Sequence, residues 1–399
     1  MKILLVHNFY RSASPSGENH VFETERQLLQ SHGHELEEFV RYSDDIENSG
    51  FWGTIKGAIS TPWNPWMASE IRKKVEIFKP DVVHVHNTFP LISPAIFHAI
   101  GHRAARVLTL HNYRLFCPAA IPMRAGKVCT DCMVLCSVWP SIQHGCYRSS
   151  RAATLPLAAN VALHRILGTW QNQMDALIAL TEFQRSIMIT AGLPAEKVYV
   201  KPNYFPGNPT VVPWTERGIY AVFAGRLSPE KGVGTLIKAW IAWGSDAPEL
   251  RIVGDGPLRV ELEKAAEGLP IRFLGQLSQD ETILQVSNAR LQLLPSECFE
   301  GFPMVVREAF ALGTPSAVSN LGPLPSIVNN GVNGVVFEAA NPQSLLTVVR
   351  NAWQEPGLLE KLGTGARKSF EAYYNEDVNY ACLMGIYDAA VEASNCKRK

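Results

Sequence analysis

Two carboxylates eight positions apart, Glu300 and Glu308 in CFEGFPMVVREAFALGTP (298–315), are the residues best placed to do chemistry in this chain. Gly301 strips the loop after Glu300 of a side chain, so a ligand can approach the backbone. Pro303 suits a first helical position, where no amide hydrogen is needed. Val305, Val306, Ala309, Phe310 and Leu312 cover a broad apolar face, which predicts a helix from Pro303. Glu308 then falls in its second turn with a carboxylate that can lean toward the N-terminus. An anion at that terminus meets unpaired amides and the positive end of the helix dipole. The arrangement suits a phosphate flanked by two hydroxyl-bearing groups, each held by a Glu.

A second constellation lies about seventy residues upstream. GRLSPEKG (225–232) directly follows the apolar run at 219–224, which places Arg226 and Lys231 in a turn between a buried strand and a helix beginning near Gly232. A planar guanidinium fork and a mobile ammonium in one turn make a diphosphate clamp.

With LRIVGDGP (250–257), IRFLGQLS (271–278) and SNLGPLPSIVNNGVNGVVF (319–337) following in order, the chain resembles the retaining GT-B glycosyltransferases of the family 4 and group 1 type. That superfamily includes sucrose synthase and bacterial mannosyltransferases. The resemblance covers essentially the whole chain and implies an α/β protein of two Rossmann-like, doubly wound domains facing across a cleft. It also implies transfer of a sugar from a nucleoside diphosphate to an acceptor hydroxyl, with retention, by a front-face route in which the diphosphate helps deprotonate the acceptor. The matching positions make His111, Glu300, Arg226 and Lys231 the catalytic candidates. The donor site implied is Gly17, Gly225, Arg226, Lys231, Glu300, Gly301, Phe302, Pro303, Met304 and Glu308, with Glu308 on the ribose and Glu300 on the sugar. His111 would bind the sugar or steady charge near the scissile bond. The family's usual glycine pair after the first strand is here Ser16-Gly17, which leaves backbone contact at Gly17 alone. The GDGP turn either caps a strand or touches the nucleotide. No catalytic cofactor is expected, because the chain has no Asp-x-Asp pair of the kind that holds a divalent cation. It has no GxGxxG either, which argues against a nicotinamide or flavin enzyme.

The elements that must position these groups alternate from the first residues: strand-like 3–6, a helix over about 20–31, then strand-like 35–40, 81–87 and 107–112. That is the rhythm of a parallel, doubly wound sheet. The Pro- and Gly-rich segment 204–218 reads as a linker. The expected domains are therefore an acceptor-binding one at 1–205, a nucleotide-sugar-binding one at 206–370, and a terminal helix at 371–399 that, by the resemblance, returns to the first. At 399 residues and 46% hydrophobic, two domains are the default. Up to Phe205 there are 20 Lys+Arg against 16 Asp+Glu, and beyond it 17 against 21, giving halves of +4 and −4. That is too little for nucleic acid, but a basic first half suits a diphosphate or anionic-lipid acceptor.

In open parallel sheets ligands bind beyond the carboxyl ends of strands. His111 and, after DVVHV, His86 and Asn87 lie at such ends, the last two as candidate acceptor contacts; Asn203 is similarly placed. His84 alternates with His86, which admits a metal pair, but a packed core histidine is preferred. Five of the eight cysteines fall between 117 and 146. Cys117, Cys129, Cys132 and Cys146 have the spacing of a tetrathiolate zinc knuckle, Cys136 being spare, in an insert too poor in apolar mass to fold by itself. Reduced packing thiols and a redox or iron-sulfur role are the alternatives. Trp52, Trp63 and Trp66 with Lys56, Arg72, Lys73 and Lys74, and a mostly apolar helix over 155–170, fit contact with a membrane surface or simple packing on the sheet. No secretory leader or spanning segment is visible, which points to the cytoplasm. The resemblance, with the tryptophan and cation cluster, implies a lipid-linked glycan of a bacterial surface polysaccharide as acceptor and a place at the inner face of the membrane. Two rivals remain: a nucleotide-sugar epimerase or phosphorylase on the same fold, and a zinc-organised binding module.

Overall fold

The computed structural model describes residues 1–10, 17–45 and 57–398. The chain divides into two units, the first comprising Met1–Pro122, Thr130–Pro202 and Asn379–Lys399 and the second Met123–Cys129 and Asn203–Val378.

In the first unit, β1 (Lys2–Phe9), β2 (Glu35–Tyr42), β3 (Val82–Val85), β4 (Ala105–Leu110), β7 (Ala176–Ala179) and β8 (Val198–Val200) form one sheet in the order β2-β1-β3-β4-β7-β8. Two short strands, β5 (Met123–Arg124) and β6 (Lys127–Val128), pair by themselves. All pairings of the six-stranded sheet are parallel. Parallel strands need crossovers, and the helices supply them while covering both faces. That is why β1, KILLVHNF, is a continuous run with its inner six residues buried rather than an alternating one. Helix α1 (Gly17–Ser31) lays Val21, Phe22, Leu28 and Leu29 against the sheet, and Glu25 is buried in the same stripe. Helix α2 (Pro65–Phe78) is capped by Asn64, whose side chain accepts from the Met67 amide.

The apolar stretch expected as one helix over 155–170 is helix α3 (Arg151–Ile166), capped by Ser150 and followed, after Gly168 at φ 58°, by a separate turn at Thr169–Asn172. Its Leu157, Ala158, Val161 and His164 are buried, whereas Leu155 and Ile166 face solvent. The terminal helix, here α6 (Glu376–Arg398), places Leu383, Ile386, Tyr387 and Ala390 in the first unit's core with Ile3, Leu5 and Val82.

The second unit holds β9 (Tyr220–Ala224), β10 (Glu249–Val253), β11 (Ile271–Gly275), β12 (Leu291–Leu294), β13 (Ser316–Ser319) and β14 (Gly334–Phe337) in the order β11-β10-β9-β12-β13-β14, again all parallel. Helix α4 (Val233–Trp243) buries Leu236, Ile237 and Trp240, and the indole N–H of Trp240 donates to the Pro248 carbonyl at 3.0 Å. Helix α5 (Met304–Ala311) buries Val306, Ala309 and Phe310. Each sheet reverses its strand order beside its first strand, at β1/β3 and at β9/β12, and strand-end loops there are open to a ligand. Among the described residues no helix is long and apolar enough to cross a membrane.

Candidate active site

The second unit brings Lys231 and Glu300 together. Lys231 ends a short 3-10 turn (Pro229–Lys231), and its ammonium donates to both carboxylate oxygens of Glu300 at 2.8 and 3.0 Å. Burial alone would lower the Lys231 pKa, but the facing Glu300 carboxylate holds it above the ordinary value. Glu300 is fixed in turn by Ser296, whose hydroxyl donates to the same oxygen. The loop carrying Glu300 is stitched to the start of α4: the Glu297 amide donates to the Glu230 carbonyl at 2.9 Å, and the Thr235 hydroxyl to the Glu297 carboxylate at 2.6 Å. Gly232 permits this approach, since at φ +67° an added Cβ would lie 1.8 Å from the Pro295 carbonyl oxygen. Arg226 stands apart from the pair, exposed and with no side-chain hydrogen bond or ion pair among the described residues.

Pro303 is not the first helical residue, as its type suggested, but the N-cap of α5, with φ −78° and ψ 94°. Its carbonyl accepts from the Val306 and Arg307 amides at 3.0 and 3.4 Å. A proline has no side chain with which to cap, so the Met304 and Val305 amides have no partner among the described residues. Gly301, Phe302 and Met304 line this approach in sequence, and Met304 Sδ packs against the Asn203 amide nitrogen at 3.4 Å. Glu308 sits in the second turn as expected, half-buried beside Arg307, whose Nη2 is 3.2 Å away. Burial raises the Glu308 pKa, with the Arg307 guanidinium opposing. Gly225 follows β9, and the GDGP turn packs on it: at Gly254 an added Cβ would lie 2.0 Å from the Gly225 carbonyl oxygen, while the Leu227 amide donates to the Asp255 carbonyl at 2.9 Å. The turn therefore supports the Arg226 loop.

In the first unit His111 follows β4, and its Nε2 lies 3.1 Å from His86 Nδ1 with the rings stacked. Burial, then the neighbouring His86, pushes the His111 pKa well below the ordinary value, so the ring is neutral. His86 and Asn87, expected to touch an acceptor, have their side chains engaged inside the protein. His86 Nε2 faces Glu25 Oε1 at 3.1 Å. The Asn87 amide donates to the Asn8 carbonyl at 2.9 Å and accepts from the Phe89 amide at 2.9 Å. They still border a small cavity of about 50 Å³ that also meets His111, Asn112 and Arg114. Gly17 opens α1, the loop before it lying outside the described residues together with Ser16, and the adjacent Glu18 accepts from the Asn112 amide at 2.8 Å. His84 is a core residue, its ring between Tyr387 and Thr109.

Cys132 and Cys146 lie close enough to Cys117 to act electrostatically on its thiol. Among the described residues the one group of three metal-ligating side chains with ligand atoms within 4.8 Å is Glu25, His84 and His86. Cys129 belongs to the second unit, and none of the eight cysteines is in a disulfide. Burial drives the Cys117 thiol up to about 12, as a packed neutral thiol requires. Cys136 is exposed. The Glu25 group does not suit a metal, because the Lys201 ammonium already lies 2.9 Å from Glu25.

Glu25, Lys201, Ser296 and Arg307 escape a reading of motifs. One signal was legible: a Glu in the apolar stripe of α1, between Val21 and Leu28.

Residues 17–205 match the model of Glycosyltransferase Family 4 and residues 208–369 that of Glycosyl transferases group 1. The sulfoquinovosyl transferase SQD2 of Arabidopsis thaliana is 25% identical over 325 residues, 80% of this chain and 58% of that protein. The amylovoran biosynthesis glycosyltransferase AmsK of Erwinia amylovora is 25% identical over 54% of this chain and 56% of its own length. The chain thus spans little more than half of either relative. A crystal structure of Anabaena Alr3699/HepE in complex with UDP superposes with a TM-score of 0.66 at 17% identity, covering 97% of this chain and all of that one. The fold is GT-B.

Proposed function

A Glycosyltransferase Family 4 domain and a group 1 glycosyltransferase domain together build this GT-B chain, and from that premise we propose that it transfers a sugar from a nucleoside diphosphate to a hydroxyl acceptor. The observation that carries the reading is the Lys231–Glu300 pair in the second unit, which also holds the uncapped amides at the start of α5. As the glycosidic bond breaks, charge collects on the departing diphosphate. Lys231, the unengaged Arg226 and the Met304 and Val305 amides are the groups to take it up. Glu308 accepts the ribose hydroxyls, and Glu300 the sugar's. By the family resemblance, the reading includes retention by a front-face route without a catalytic metal, with His111 on the sugar. UDP and UDP-glucose in the HepE complexes make uridine donors the first to try.

The acceptor proposed is a lipid-linked glycan in surface-polysaccharide synthesis, at the inner face of the cytoplasmic membrane. The likeness to AmsK, a glycosyltransferase of amylovoran biosynthesis, and the first unit's exposed aromatics support it. Trp66 is 62% exposed, and Arg72 and Lys73 are exposed on the same helix α2, a pairing suited to a headgroup region. Trp52 and Lys56 lie outside the described residues.

A panel of UDP-, GDP- and ADP-sugars tests the reading. The true donor at 100 times its dissociation constant should stabilise the protein by about 2.7 kcal/mol. Free nucleoside diphosphate should then be released only when acceptor is supplied, which separates transfer from epimerisation or phosphorolysis. Stabilisation by none of the three would sink the proposal.

A further inference from the structure

A line of buried polar groups runs behind His111. Lys201, just after β8, donates its ammonium to Glu25 Oε2 at 2.9 Å and to the Asn379 side-chain carbonyl at 3.2 Å. The other carboxylate oxygen, Oε1, faces His84 Nδ1 at 2.9 Å and His86 Nε2 at 3.1 Å. His86 Nδ1 faces His111 Nε2 at 3.1 Å. Glu25, Lys201, His84 and His86 are respectively 1%, 2%, 0% and 3% exposed, so no water competes for these hydrogen bonds. Nothing in the donor chemistry above uses Glu25 or Lys201.

Each hydrogen bond needs one proton, and that requirement propagates along the line. An ionised carboxylate only accepts, so His86 must carry its proton on Nε2. Its Nδ1 is then a lone pair, and the hydrogen bond to His111 forms only if His111 Nε2 carries the proton. Nδ1 of His111 is left as the bare acceptor, and it has no hydrogen-bond partner among the described residues. A doubly protonated His86 would break the logic, but Lys201 already balances the single charge of Glu25. A further proton would leave net charge in a dry cluster.

We infer that Glu25, held ionised by Lys201, is a positioning residue that acts through His86 to fix His111 as the Nε2–H tautomer, so that His111 presents an acceptor nitrogen and recognises a sugar hydroxyl as a donor of its proton. The inference deepens the proposed function, since it rests on His111 facing the donor sugar. It also chooses between the two roles open to that residue: a neutral ring with a bare Nδ1 accepts from a hydroxyl and does not place a cation beside the leaving group.

Histidine-labelled protein carries the test, because protonated and bare ring nitrogens resonate far apart in ¹⁵N spectra and two-bond couplings assign which is which. In the wild-type chain without substrate, His86 and His111 should both show protonated Nε2 and bare Nδ1. Glu25→Gln should invert both. Its oxygen will turn toward the Lys201 ammonium, leaving the NH2 to donate to His86 Nε2, so that His86 Nδ1–H donates to His111 Nε2 and His111 becomes the Nδ1–H form. A wild-type His111 protonated on Nδ1, a wild-type imidazolium at His86, or a folded Glu25→Gln protein with unchanged tautomers would overturn the inference. Should that variant not fold, the wild-type spectrum alone decides. The readout needs no turnover, so failure of every nucleotide sugar in the panel would remove the glycosyl-transfer reading while leaving the tautomer measurement to stand or fall by itself.

Discussion

Lys231 and Glu300 neutralise each other in the ligand-free protein, and this shapes what their removal should do. Lys231→Ala takes away a cation aimed at the diphosphate and leaves a carboxylate facing the same place. Turnover is expected to fall by about 100-fold or more, the effect of losing one preorganised charge-stabilising donor. Steady-state kinetics on the donor found in the panel measures it, and a loss of less than threefold would contradict the assignment. Glu308→Gln keeps the shape but weakens hydrogen bonds to ribose hydroxyls. Nucleoside-diphosphate affinity, read by calorimetry, should drop by about 1–2 kcal/mol with the sugar contributing nothing to the difference. Burial raises the Glu308 pKa, so the wild-type affinity should strengthen as pH rises through that raised value and the carboxylate forms.

At the scale of elements, the donor residues depend on a turn that only glycine allows. Gly232→Ala puts a Cβ 1.8 Å from the Pro295 carbonyl oxygen, at a positive φ. The turn holding Lys231 and the loop holding Glu300 must then separate. Activity should be lost even in protein that remains folded, since the rest of the second unit's core does not involve this contact; retained activity would show that the apposition of the two loops is dispensable. The cysteine segment is a second such element, since Cys132 and Cys146 act electrostatically on the Cys117 thiol. Zinc determination on purified protein tests the zinc-knuckle reading: about one equivalent supports it and none overturns it.

Across the molecule, stability is tied to pH by the first unit. Burial lowers the pKa of His7 to about 3 and of His84 and His164 to about 4, from 6.5 in an exposed chain. The unfolded chain therefore binds more protons between those values, and stability is complete above pH 6.5 and lost as pH falls toward 4. Asp175 adds a further loss lower down. Burial opposes its ionisation, but hydrogen bonds from Arg106 and Lys397 hold its pKa below the ordinary 3.8. Urea midpoints should stay nearly level from pH 7.5 to 6.5 and then fall toward pH 4, and a series flat throughout would contradict the buried neutral histidines. Asp175→Asn should cost about 3–5 kcal/mol at neutral pH, because it leaves the fully buried Arg106 without its counter-charge.

The parts of this protein legible in its sequence are those set by neighbours along the chain. Alternating apolar runs and helical stripes dictate a doubly wound fold, because a strand buried on both faces is mostly apolar along its length. A Gly-bounded strand-to-helix turn with two cations, and a Glu eight residues before another on a helix, likewise mark a phosphate-binding pattern through local geometry alone. What only the tertiary structure decided are the partnerships over long separations. Lys231 meets Glu300 across 69 residues and Lys201 meets Glu25 across 176. His86 turns from an expected acceptor contact into an internal link to Glu25 and His111. Spacing along a chain constrains which groups share a face, but a hydrogen bond or a metal site needs atoms within about 3 Å, and that precision comes only from how the packed sheets and helices place their side chains.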